Sequence, residues 1–140
     1  MKQKEKDLLL KDLCYRLPYE VKMNHIADNE VSPITLIGID EDYIILRGGG
    51  YSYVPVEHYK PYLYPLSSMT EEQKLYIEWH TKYRLDDGEL VVKKDEDDEY
   101  LNTNMYDYLS LIEWLNKNHF DYQGLIEMGL AIDCTNLNIY

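Results

Sequence analysis

A chain of 140 residues with 14 Lys/Arg against 26 Asp/Glu, a formal charge of −12, has the size of one domain and a surface that repels nucleic acid and anionic membranes. Its 45% apolar and 13% aromatic content excludes a disordered chain, and fifteen tyrosines against one phenylalanine imply a core with many hydroxyls that must reach water or a partner. No stretch nears the ~20 apolar residues of a membrane helix, and Leu8-Leu9-Leu10 is too short for a signal-peptide core, so a cytoplasmic location is expected.

Lys2 to Arg16 reads as an amphipathic helix, with Leu9 or Leu10, Leu13 and Leu17 on one face and Pro18 stopping it. From Tyr19 the period shortens. Segments Glu20–Ile26, Ile34–Ile39, Tyr43–Arg47 and Ser52–Glu57 are rich in Val, Ile and Tyr, separated by Asp28-Asn29, Asp40-Glu41-Asp42 and Gly48-Gly49-Gly50. That pattern predicts an antiparallel meander, a small curled sheet or barrel over about 20–57. Prolines 61 and 65 then argue for an extended linker laying aromatics across the sheet.

Thr70 with Gln73 three residues on forms a capping-box pattern, and Tyr76, Trp79 and Tyr83 give the following helix one apolar face. Asp87-Gly88 ends or turns it, Glu89–Lys93 is a brief strand candidate, and Lys94–Glu99 is a charged loop. A second helix is predicted over Thr103–Asn118, where Met105, Tyr108, Leu109, Ile112 and Leu115 hold helical spacing and Trp114 widens the stripe. Asp121 can cap a short helix over Tyr122–Met128, Gly129 ends it, and Leu130–Cys134 is a candidate strand. Strands followed by helices indicate an α+β fold with two to three C-terminal helices packed on the sheet. The expectation is one domain over 1–140, sheet-rich across 19–66 and helical and acidic across 67–140.

The segments PYLYPLSSMTEEQK (61–74) and WLNKNHFDYQGLIEMGLAI (114–132) resemble a family of small proteins from prophages and other mobile elements of gut bacteria. The resemblance implies a phage or mobile-element accessory protein working inside a bacterial cell. It supplies no activity and no site residues.

Motifs for chemistry fall short of their requirements. After Gly48-Gly49-Gly50 comes Tyr-Ser-Tyr-Val-Pro, which lacks the Lys-Ser/Thr of a phosphate loop and fits a hairpin turn. The carboxylates Asp95, Glu96, Asp97, Asp98 and Glu99 alternate as a calcium loop does, yet the glycine position falls on Tyr100 and the final glutamate position on Tyr106. They read as a solvated acidic patch. Histidines 25, 58, 80 and 119 are isolated, and His119 with Asp121, the nearest approach to a catalytic pair, also fits two helix caps. Cys14 and Cys134 lack metal or CxxC spacing and read as free thiols. No catalytic residue, metal ligand or cofactor is assigned.

Trp79, Trp114 and the helix-spaced tyrosines read first as core. Tyr51, Tyr53, Tyr59, Tyr62 and Tyr64 cluster near prolines and form a candidate interface, although packing of the linker over the sheet accounts for the same residues. Residues 1–60 hold eight Lys/Arg and ten Asp/Glu, whereas 61–140 hold six and sixteen, so the acidity belongs to the C-terminal part. The expected function is non-catalytic binding of another protein, a host factor or a second copy, through an acidic, tyrosine-rich surface, without direct nucleic-acid or membrane contact. The alternatives are a nucleic-acid mimic that inhibits a DNA-binding host protein, a small enzyme, and a virion or regulatory component.

Overall fold

The computed structural model describes residues 1–48 and 50–140, and its fold is α+β. It divides into two compact units, one of residues 1–63 with 123–140 and one of residues 64–122. The return of 123–140 to the first unit was not expected.

In the first unit, helix α1 (Gln3–Arg16) buries Leu9 and Leu13 and packs Leu10 and Leu17 beside them, as the leucine spacing predicts. Pro18 sits in the single 3₁₀ turn that follows. Strands β1 (Lys22–His25), β2 (Ile34–Asp40), β3 (Tyr43–Arg47) and β4 (Tyr51–Pro55) pair antiparallel in succession, and the next strand, β5 (Tyr59–Pro65), returns beside β1. Gly48 and Gly50 lie between β3 and β4; Gly49 of the predicted turn lies outside the described residues.

Only residues 56–58 link β4 to β5. Five flat strands would set the outer two about 19 Å apart, while that connection reaches at most about 14 Å, so the sheet has to curl. A bulge between Leu36 and Gly38 helps it bend, and at Gly38 an added Cβ would lie 3.0 Å from the Ile45 side chain.

The segment expected to be a linker is therefore a strand. Its partners are short: β1 pairs with residues 59–61, and β9 (Ile132–Asp133) pairs in parallel with Tyr62 and Leu63.

The core of this unit is mainly aliphatic, with Leu9, Leu13, Val21, Met23, Leu36, Ile44, Leu46 and Leu63 meeting Leu125 and Leu130 of the C-terminal segment, and it also takes in the Tyr59 ring. Inside it the Arg16 guanidinium holds Asp12 through two hydrogen bonds, Nε to Oδ2 at 2.6 Å and a terminal nitrogen to Oδ1 at 3.2 Å, both side chains fully buried. The Gln123 side-chain amide donates to the same carboxylate at 3.0 Å. At the far end the Tyr140 hydroxyl accepts from the Lys22 amide and donates to the Tyr62 carbonyl. These bonds tie residues 123–140 to the first unit. Residues 125–129 form turns instead of the predicted last helix, and the Leu130 amide bonds back to the Leu125 carbonyl.

In the second unit, helix α2 (Glu71–His80) begins with the predicted capping box, the Thr70 hydroxyl accepting from the Gln73 amide and the Gln73 side chain from the Thr70 amide. It ends sooner than predicted. The Thr81 hydroxyl donates to the Ile77 carbonyl and accepts from the Tyr83 amide, which turns the chain into a hairpin, β6 (Tyr83–Asp86) and β7 (Glu89–Val92). Asp87 and Gly88 between them both adopt positive φ, 52° and 81°, as a type I′ turn requires. Helix α3 (Met105–Lys117) starts at Asn104, whose side chain accepts from the Asp107 amide. His119, at φ 63°, ends it with its amide bonded to the Asn116 carbonyl. The two-residue strand β8 (Phe120–Asp121) then pairs with Tyr64 and Pro65. The core here is Met69, Ile77, Tyr83, Leu111, Leu115 and Phe120, with Tyr64, Leu66 and Trp114 packed against it.

Candidate functional site

Aromatic rings dominate the second unit. Trp114 stacks on Phe120 at 5.8 Å and on Tyr76 at 5.3 Å, Tyr64 leans on Phe120 at 6.0 Å, and the His80 ring lies 4.4 Å from Tyr76. Of these rings only Phe120 is fully buried, and Tyr76 stays 43% exposed. Of the ten residues of α2 only Ile77 is buried.

Trp79, expected in the core, is 74% exposed. Helical spacing explains it: Tyr76 leans across to Trp114, Ile77 takes the interior position, and Trp79 is carried to the outer side. Leu75 on α2 and Met105, Tyr106 and Leu109 on α3 are exposed as well, Tyr106 at 80%. The predicted α3 stripe is thus shifted: Leu111 and Leu115 are buried, whereas Met105, Tyr108 and Leu109, which share the spacing, are not.

Trp79 borders an open cleft of about 310 Å³ shared with His80, Lys82, Asp107 and Ser110. Lys82 bonds the Asn102 carbonyl and pairs with Asp107 at 3.2 Å. The Asn104 amide, then Lys82, hold the Asp107 carboxyl below its usual range. Its carboxylate contributes to the start of α3 above that range and is lost as pH falls through the lowered value.

Acidic groups fringe this unit. Its residues include six Lys/Arg against fourteen Asp/Glu. Asp95, Glu96, Asp97, Asp98 and Glu99 are all exposed, and they form a hydrogen-bonded turn: Asp95 Oδ1 accepts from the amides of Asp97 and Glu99, and the Asp95 amide donates to the Glu99 carbonyl. A bridge between Lys94 and Tyr100 closes it, with the Lys94 ammonium 5.0 Å from the Tyr100 ring centre. Among the described residues no group of three or more His, Cys, Asp or Glu side chains could hold a metal ion.

The tyrosines of the candidate interface part company. Tyr51 and Tyr53 are exposed on β4, and Tyr53 stacks on Tyr43 at 4.8 Å. The Tyr53 hydroxyl donates to Asp40 at 2.7 Å, and that carboxylate pushes its pKa up to about 12. Tyr59 and Tyr62 are buried, which removes them from the candidate interface and agrees with the alternative that this segment packs on the sheet. They lie on a strand paired along both edges, whose side chains enter the core. Tyr64 is half-buried beside Phe120.

Of the remaining candidates, His25 accepts from the Ala27 amide and meets the Tyr59 ring edge-on, with His58 6.2 Å away. Asp121 lies in β8. Cys14 is exposed and Cys134 buried. The outward turn of Trp79 had one sequence signal, the adjacent Asp87-Gly88: read as a hairpin turn, it moves Tyr83 off the helix and leaves α2 too short for the predicted stripe.

No protein-family model matches the chain, and neither a curated protein nor a solved structure does. Among the described residues no helix is long and apolar enough to cross a membrane.

Proposed function

We propose that this is a non-catalytic protein-binding module, an accessory protein of a phage or mobile element, that engages its partner through the exposed apolar face of α2 and α3. The observation that carries the reading is the exposure of Trp79, Tyr106, Leu75, Met105 and Leu109 on two helices of one unit. Where large apolar groups on neighbouring helices adjoin, the patch they form in water marks an interaction site. Trp and Tyr are the side chains that anchor interfaces at low entropic cost.

Charge selects the partner. Fourteen carboxylates against six basic groups in this unit repel a second copy and favour a protein with a basic surface around an apolar recess. Affinity capture on the tagged full chain, in low and high salt, tests this with Trp79→Ala as the paired variant. A stoichiometric basic partner is expected, released by salt and lost with Trp79→Ala at unchanged melting temperature. A partner held equally by Trp79→Ala, or no partner at either salt, overturns the reading.

A further inference from the structure

Beside the hairpin of the second unit lies a cavity of about 320 Å³, at the small end of ligand pockets. Tyr83, Tyr108 and Tyr122 line it together with Leu111 and Ile112 from α3. The Tyr83 and Tyr108 rings stand 6.4 Å apart at 66°, packed edge to face at the cavity's border. Tyr122 is held by its hydroxyl, which donates to the buried Asn116 side chain at 2.8 Å. Glu89 is the only charged residue among the described residues that line the cavity.

We propose that this cavity binds a small quaternary ammonium group. Ring faces carry negative charge density, and several of them around one space attract a poorly hydrated cation without needing a hydrogen bond from it. Nothing in the lining supplies the cationic side chain that an anionic ligand would need. The surplus of carboxylates in the unit and Glu89 at the site add a field of the same preference. A neutral apolar ligand would fill the volume but gain nothing from that field.

Titration of the full chain with choline and with its neutral tert-butyl isostere, followed by the ring resonances of the tyrosines, tests the assignment. Saturable shifts at Tyr108 are expected with choline, and binding of the isostere about tenfold weaker or more. Tyr108→Phe should keep choline affinity within about twofold, and Tyr108→Leu, which keeps apolar area without the ring, should lose about tenfold. Tyr108 is half-exposed, so neither variant threatens the fold. A short peptide bearing a trimethylated lysine identifies the source: tighter binding than choline assigns the cation to a protein side chain, weaker binding to a free metabolite. Equal binding of the isostere, or no saturable shift with any of the three, overturns the proposal.

Discussion

Residues 1–63 with 123–140 close over a mainly aliphatic interior drawn from α1, the curled sheet and the C-terminal segment, whereas in residues 64–122 a smaller interior of Met69, Ile77, Tyr83, Leu111, Leu115 and Phe120 is flanked by a row of partly exposed rings, Tyr64, Trp114 and Tyr76. Branched aliphatic chains interlock from many directions and can fill an interior evenly. Stacked rings extend in one direction and leave edges open. A unit of roughly 60 residues also has little interior to offer, so the surplus apolar surface of α2 and α3 stays outside. Charge divides in the same way. The first unit buries a bonded Arg–Asp pair, and in the second every carboxylate but Asp121 is exposed or partly so. The less self-contained unit is the one with surface left to bind something else.

The sharpest way to break this comparison is at the buried pair. Arg16→Ala leaves Asp12 charged in a dry interior and should cost about 3–5 kcal/mol, seen as a large fall in melting temperature with amide protection lost first in α1. Replacing both residues by apolar ones of similar size, Asp12→Leu with Arg16→Met, should recover most of that loss. A single variant as stable as the parent would show that the pair does not hold the first unit together.

Next comes the ring row. Trp114→Ala should cost about 3 kcal/mol by removing the ring between Tyr76 and Phe120, while Trp79→Ala should cost less than about 0.5 kcal/mol. Chemical denaturation of the two variants distinguishes a core tryptophan from a surface one, and equal losses would contradict the inside–outside division of the aromatics. In the acidic turn, Asp95→Ala should cost about 1 kcal/mol, as loss of a cap does, because two amides lose their acceptor. Asp97→Asn with Asp98→Asn should leave the melting temperature nearly unchanged.

The smallest effect belongs to the first unit's exposed stack. The pKa of Tyr53 lies at about 12, above the ordinary value of 10.0, so its bond to Asp40 stabilises the fold fully below the ordinary value and is lost as pH rises through the higher one. Phenolate absorbance of the parent against Asp40→Asn should show one tyrosine returning toward its ordinary range. An unchanged titration would remove Asp40 as the cause.

Local rules determined much of this protein from the sequence. The leucines of α1, the Ile-rich strands β2 and β3, the Thr70 capping box, the extent of α3 and the α+β class follow from interactions within a few residues. Composition also announced a tyrosine-rich, acidic surface. Tertiary structure decided the rest, because each remaining feature depends on residues far apart in the chain. Prolines made residues 59–65 look like a linker, and only the arrival of β1 and β9 on successive stretches allowed a strand that buries Tyr59 and Tyr62. Asp12 and Arg16 share helical spacing with any surface pair, and their burial required Gln123 from the other end of the sequence. Trp79 and Trp114 are indistinguishable as residue types. A helix ended by Thr81 and the stacking of Tyr76 on Trp114 turned one outward and the other inward, and a sequence pattern cannot show which side of a helix will find a partner.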